Sequence, residues 1–175
     1  MSRSPLGRLA REVAETLVIA LVLTFFIRAF VVESYLIREH SMEPTLFHGE
    51  RVLVTKISYR FAEPKAGDIV VFAHPEEEVD LVKRVVGLPG QTVEVVSGRL
   101  YVDGEPVDEP YVRRPGSGDA ASMTVPEEYL FVMGDNRVNS KDSRYFGPVP
   151  RANVKGRAWL VYWPPSRAQV LGSGD

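Results

Sequence analysis

Hydrophobic positions follow two patterns along the chain, one long run near the N-terminus and several short runs further on. Apolar residues dominate from Val13 to Val32, with Glu15 and Arg28 near the two ends. A helix needs about 20 apolar residues to cross a bilayer, and charged side chains near its ends can reach the interface. We therefore expect a transmembrane helix over residues 13–32. A cleaved leader or a buried helix is the alternative, but no small-x-small site follows the run.

Short apolar runs separated by turn residues fill the rest of the chain and predict strands. Ser97 and Gly98 stand between two of these runs as a compact hairpin signal. No long amphipathic helix is predicted after the N-terminal run, so the fold class is mainly β, a barrel or a sandwich. The predicted strands are residues 52–57, 68–73, 81–86, 92–96, 99–102, 128–133 and 157–163.

The composition of the chain excludes several classes of function. The chain has 175 residues, a net charge of -2 and no cysteine, which excludes thiol catalysis and a disulfide scaffold. No block of like charge favours a nucleic-acid partner. The three histidines lack metal-ligand spacing, so neither a metal nor another cofactor is expected. Arginines before residue 13 favour a cytoplasmic N-terminus, with the rest of the chain across the membrane.

A lysine inside an apolar strand suggests chemistry. Strand alternation places Leu81, Lys83 and Val85 on one face. Burial there disfavours the charged amine and lowers its pKa, and a neutral amine can take a proton from a serine hydroxyl such as that of Ser41. On the strand alone, a lysine reaching out to the sheet edge is the alternative. Ser41 alone is equally compatible with an ordinary turn.

A polar segment at residues 134–144 follows the strand predicted at 128–133. Gly134 permits a tight turn, and the Asn, Asp, Ser and Arg residues after it supply many hydrogen-bonding groups. Such a composition is typical of solvated loops, but it also suits a polar shell around a reactive group.

Four motifs in order resemble those of bacterial type I signal peptidase, a membrane-anchored Ser/Lys protease. They cover most of the chain from about residue 13 to 163. The motifs are SMEPTL at 41–46, GDIVVF at 67–72, KRVVGLPG at 83–90 and GDNRVNSKDSR at 134–144.

The resemblance implies a membrane-bound serine endopeptidase that removes N-terminal signal peptides from exported preproteins. Ser41 would be the nucleophile and would donate its backbone N–H to the oxyanion. Lys83 would be the general base, and Ser140 would orient its amine. Implied partners are signal peptides of secreted preproteins, the lipid bilayer and a nearby export translocon. The implied location is the bacterial cytoplasmic (inner) membrane, single-pass, with the catalytic domain outside.

Two ion pairs are also implied by the resemblance, Arg84 with Asp135 and Asp142 with Arg144. The corresponding domain plan has a cytoplasmic N-terminus, a transmembrane anchor, a β catalytic domain in two pieces, a small β insertion between them and a C-terminal tail. Its bounds are 1–12, 13–32, 33–90 with 127–165, 91–126 and 166–175.

Glu39 departs from the family pattern. Many members carry a serine or glycine two residues before the nucleophile, and the serine hydroxyl contributes to the oxyanion hole. An ionised Glu39 cannot donate a hydrogen bond, so either it points away or another donor replaces that hydroxyl. His40 is a weaker alternative base. Further alternatives are a specialised processing peptidase, a self-cleaving repressor domain, which the anchor disfavours, and an inactive membrane-anchored binding module.

Overall fold

The computed structural model describes residues 5–26, 31–116 and 118–172. Its described part is mainly β, as predicted, with short helices α2 (Ser58–Phe61) and α3 (Ser143–Phe146) after the N-terminal helix α1 (Pro5–Phe26). The strands are β1 (Val32–Leu36), β2 (Arg51–Thr55), β3 (Ile69–Ala73), β4 (Asp80–Gly87), β5 (Thr92–Val96), β6 (Arg99–Val102), β7 (Glu105–Pro106), β8 (Ala120–Thr124), β9 (Tyr129–Met133), β10 (Val149–Pro150), β11 (Val154–Trp163) and β12 (Gln169–Val170).

Helix α1 differs from the predicted transmembrane helix. In the described ranges, no helix is both long enough and apolar enough to span a membrane. The helix begins well before residue 13 and includes the ion-paired Arg11 and Glu15, which shortens its apolar part. The predictions that concern residues 1–4, 27–30 and 173–175 lie outside the described residues.

The larger sheet has eight strands in the order β1-β2-β11-β3-β4-β9-β10, with β12 paired to β11, and every pairing is antiparallel. Strands β1 and β4 line one cleft although three strands separate them in the sheet order. The sheet therefore curls strongly. Strands β7-β6-β5-β8 form a second, four-stranded sheet between β4 and β9 along the chain.

Alternation along β3 places apolar side chains in two cores. Ile69 and Val71 enter one cluster, whereas Val70 and Phe72 enter another, and all four are at most 1% exposed. Such a side chain contributes about 1.5–3 kcal/mol when fully buried. A third cluster joins β4 and β9 to the smaller sheet. With both faces covered, β3 and β4 form a rigid centre to which the site is attached.

Gly156 lets β11 approach β2 closely. A Cβ added there would clash with the Thr55 carbonyl oxygen and would lie 2.9 Å from Val54 Cγ1. We expect Gly156→Ala to destabilise the fold by about 1–3 kcal/mol, because backbone atoms must move apart. The measurement is urea unfolding followed by tryptophan fluorescence. Gly172→Ala is the matched control, since a Cβ there meets nothing within 4 Å; equal stabilities for the two variants would contradict the packing argument.

Candidate active site

Ser41 and Lys83 form a buried hydrogen-bonded pair. Ser41 lies in the turn segment that follows β1, and Lys83 lies in the middle of β4. The Lys83 Nζ donates to the Ser41 Oγ at 2.7 Å. Ser41 is 6% exposed and Lys83 only 1%, so the lysine does not extend to solvent. The nucleophile and the base implied by the resemblance are thus in contact.

Burial lowers the pKa of Lys83 below its ordinary value, since the charged amine loses hydration. The carboxylates of Glu39, Asp142 and Asp135 oppose that shift by favouring the ammonium form. A lowered pKa gives a larger neutral fraction near neutral pH. A neutral Lys83 amine has a lone pair 2.7 Å from the Ser41 hydroxyl, and this is the geometry of a general base beside a nucleophile.

The segment that carries Ser41 is fixed to the loop after β9 by backbone contacts. The Asn136 N–H donates to the Ser41 carbonyl oxygen at 3.0 Å, and the Asn136 side-chain amide donates to the His40 carbonyl oxygen at 3.1 Å. Gly134 passes so close that an added Cβ would lie 2.5 Å from the Ser41 carbonyl oxygen and would clash with Ser140. The glycine therefore determines how closely the two segments approach.

Asp142 organises the loop after β9. Its carboxylate accepts from Arg144 at Nε (2.8 Å) and Nη2 (2.9 Å), from the Gly134 N–H at 3.0 Å and from the Ser140 Oγ at 2.7 Å. The side chains of Asp142 and Arg144 are 0% and 2% exposed. A buried bidentate pair of this kind holds its backbone in one arrangement.

The Ser140 hydroxyl is engaged with Asp142 rather than with the lysine. Among the contacts of the described residues there is no hydrogen bond between Ser140 and Lys83. Ser140 does line the same cleft as Ser41. The orienting role of Ser140 therefore stays a prediction.

Arg84 and Asp135 form the second buried pair. Arg84 donates to Asp135 through Nε at 2.9 Å and Nη2 at 2.7 Å, and through Nη1 to the Gly67 carbonyl oxygen at 2.8 Å. The Thr45 hydroxyl also donates to Asp135, and the Tyr111 ring stacks 3.9 Å from the guanidinium. Of two adjacent residues of β4, Lys83 thus contacts Ser41, and Arg84 contacts Asp135, which also holds Thr45 four residues after that serine.

A third buried pair joins the segment that carries the smaller sheet to the site, and no local pattern in the sequence indicates this pair. Arg137 donates to Glu109 through Nη1 at 2.8 Å and to the Gly134 carbonyl oxygen through Nε at 2.9 Å. The partners are 28 positions apart, and Glu109 stands in an otherwise ordinary polar stretch. Arg137 belongs to the polar segment identified above, but its partner could not be inferred from it.

Glu39 does not point away from the dyad. Its Oε2 lies 3.8 Å from the Lys83 Nζ, and its side chain is 61% exposed. His40 turns elsewhere: its Nδ1 hydrogen-bonds with the Glu43 Oε1 at 2.7 Å, and its ring stacks on His48. Of the two unusual neighbours of Ser41, only Glu39 approaches the base.

Two clefts meet at Ser41. One, of about 810 Å³, lies between β1 and the first half of β4, and Ile37 and Met42 contribute to its wall. The other, of about 610 Å³, extends towards Ser140 and Tyr145. Among the described residues, β4 pairs with β9 from residue 84 onward, and β1 has β2 as its one partner strand. Both strands therefore offer unpaired backbone groups beside the first cleft.

No group of His, Cys, Asp and Glu suited to a metal ion occurs in the part of the chain that the structure describes. The reactive groups that the structure brings together at the site are the Ser41 hydroxyl and the Lys83 amine. This arrangement can carry out nucleophilic attack on a carbonyl group of an extended chain.

We expect Asp142→Asn to destabilise the protein by about 3 kcal/mol, because the buried Arg144 would lose its counterion. Thermal unfolding followed by circular dichroism measures the effect. Glu77→Gln is the matched control: it removes a carboxylate from an exposed pair with Lys141, the neighbour of Asp142, and should leave the unfolding temperature nearly unchanged. An Asp142→Asn variant as stable as this control would contradict the structural role.

Comparison with known proteins identifies the family. A family model described as signal peptidase, peptidase S26, matches residues 10–163. Signal peptidase I of Leptolyngbya laminosa is 42% identical over 170 residues, 92% of this chain and 83% of that protein. Signal peptidase I of Bacillus licheniformis is 42% identical over 164 residues, 87% and 88% of the two chains. A solved signal peptidase I from Enterococcus faecalis aligns with a TM-score of 0.48 and 36% identity over 55% of this chain and 97% of that one. The chain belongs to the signal peptidase family, peptidase S26.

Proposed function

We propose that this chain is a membrane-bound serine endopeptidase that removes N-terminal signal peptides from exported preproteins with a Ser41/Lys83 dyad. The observation that carries the proposal is the 2.7 Å hydrogen bond between the buried Lys83 amine and the Ser41 hydroxyl. Similarity to signal peptidase I over most of the chain supports the same reaction class.

In the proposed reaction, the neutral Lys83 amine takes the Ser41 proton as the Oγ attacks the scissile carbonyl carbon. The Ser41 backbone N–H donates to the oxyanion that forms. Lys83 then gives its proton to the leaving amine of the mature chain. The signal peptide stays on Ser41 as an ester, and Lys83 activates the water that hydrolyses it.

The first cleft suits an extended peptide. A chain lying between β1 and residues 80–83 can hydrogen-bond to unpaired backbone on either side, as in strand addition. Side chains of that peptide would alternate towards the cleft wall, where Ile37 and Met42 lie. Shallow apolar pockets reject bulk by clash, which fits the small residues that the resemblance implies at the cleavage site.

The N-terminal segment is proposed to anchor the enzyme in the bacterial cytoplasmic membrane, with residues 1–12 inside and the catalytic domain outside. Helix α1 supports an apolar environment, because Leu17, Val18 and Ile19 are each 59% exposed and Leu21 is 70% exposed. Basic residues near its start favour the cytoplasmic side. An enzyme held there would meet signal peptides as they emerge near the export translocon.

Ser41→Ala should reduce preprotein cleavage to background, and Lys83→Met should reduce it by at least about 10²-fold, since it removes the base but keeps the volume. Cleavage of a model preprotein, with the new N-terminus sequenced, measures both. Ser122→Ala and Lys65→Ala, at exposed positions, are the controls and should cleave normally. Normal cleavage by either dyad variant would contradict the mechanism.

The rate should rise with pH. Protonated Lys83 cannot accept the serine proton, so kcat/KM should increase about tenfold per pH unit and then level off above the pKa of the free enzyme. Because burial lowers that pKa, the midpoint should lie below the ordinary lysine value of about 10.4. A pH series of initial rates tests this. A midpoint at or above that value, or an identical rise in the residual activity of Lys83→Met, would contradict the assignment.

A further inference from the structure

We propose that Glu39 is a displaceable counterion of Lys83: it favours the ammonium form in the empty enzyme, and an extended peptide entering the cleft displaces it and so favours the neutral amine beside Ser41. This inference rests on the proposed function and adds a step that couples substrate binding to activation of the base. Glu39 acts through Lys83, and it is therefore a positioning residue.

The distance and the exposure of Glu39 suit a counterion that can leave. Its Oε2 lies 3.8 Å from the Lys83 Nζ, close enough for an ion pair. The Lys83 side chain is 1% exposed, whereas that of Glu39 is 61% exposed. The amine is thus fixed in the protein, and the carboxylate approaches it from the solvent side.

The other carboxylates that face Lys83 are already neutralised. Asp135 accepts two hydrogen bonds from Arg84, and Asp142 accepts two from Arg144. Each of these acids forms a buried, nearly neutral unit with its arginine. Glu39 differs, because its ion pair in the described part of the chain is with Lys83 itself.

Glu39 stands where a substrate must pass. It lines both the cleft beside β1 and β4 and the cleft that extends towards Ser140, and Ser41 lines both as well. A peptide whose scissile carbonyl lies over Ser41 would occupy space on both sides of the Glu39 carboxylate. That carboxylate would either be buried without water or swing into solvent, and an exposed side chain takes the second course at less cost.

Displacement has two consequences for the reaction. Burial already lowers the pKa of Lys83 and Glu39 opposes that shift, so the pKa falls further once Glu39 has left; a Lys83 that is still protonated then releases one proton to bulk water and becomes the amine that accepts the Ser41 proton. Removal of the carboxylate also takes a negative charge away from the developing oxyanion. The empty site would thus hold a larger fraction of the inactive ammonium, and the filled site a larger fraction of the active base.

The Glu39→Gln variant distinguishes the effect of Glu39 in the free enzyme from its effect in the substrate complex. The pH dependence of kcat/KM reports groups in the free enzyme, and that of kcat reports groups in the substrate complex. In Glu39→Gln, the rising limb of the pH profile of kcat/KM should move to a pH about one unit lower, which raises kcat/KM about tenfold on the acidic side. The rising limb of the pH profile of kcat should stay in place, because Glu39 has already moved away from Lys83 in the wild-type complex.

Glu43→Gln is the matched control. It removes the same charge from the same segment, but Glu43 hydrogen-bonds with His40 rather than with Lys83. Both limbs should be unchanged in this variant. Equal movement of the kcat and kcat/KM limbs in Glu39→Gln would show that Glu39 stays beside Lys83 in the complex and would overturn the displacement. No movement of either limb would overturn the counterion itself.

A titration without substrate keeps this inference separate from the proposed function. The full chain in detergent, labelled with ¹³C at lysine Cε and assigned with Lys83→Met, reports the Lys83 pKa directly. We expect that pKa to fall by about one unit in Glu39→Gln and to stay in Glu43→Gln. If the wild-type chain cleaves no preprotein, the proposed function fails, while an unshifted Lys83 titration overturns the inference in either case.

Discussion

The buried lysine is the constraint on which the site depends. An amine that is 1% exposed on a central strand is costly to keep charged, and its closest polar contact is the hydroxyl of Ser41. Both faces of β3 and β4 are packed against apolar clusters, and Lys83 is buried between them. The burial that disfavours the charged form also favours the neutral amine, the form that can act as a base.

Buried arginine–carboxylate pairs provide the polar frame around that amine. Arg84 with Asp135 joins β4 to the loop after β9, and Asp142 with Arg144 shapes that loop. Such pairs add little net stability compared with apolar packing, but they fix backbone positions and supply local neutrality. A single exposed carboxylate, that of Glu39, can then dominate the balance of charge at Lys83.

The sequence predicted the strands well, because apolar residues and turn residues alternate clearly. It missed β1, which begins at the end of the expected anchor and contains the polar Glu33 and Ser34, and also β8, which lies in a segment predicted as a Gly- and Ser-rich loop. The ordered motifs pointed to Ser41 and Lys83. They could not reveal the pairing of Arg137 with Glu109, because it depends on how the chain between β7 and β8 of the smaller sheet packs against the loop after β9. Nor could they place Glu39 beside the base, since a carboxylate two residues before a nucleophile has no fixed direction.

Acylation of Ser41 should depend on the neutral Lys83 amine beside it. The most direct measurement treats the full chain with an activated ester of a signal-peptide fragment and locates the adduct by peptide mapping and mass spectrometry. We expect an adduct on Ser41 that forms faster as the pH rises and is nearly absent in Lys83→Met. An adduct at another residue, or one that forms equally fast without the lysine, would contradict this expectation.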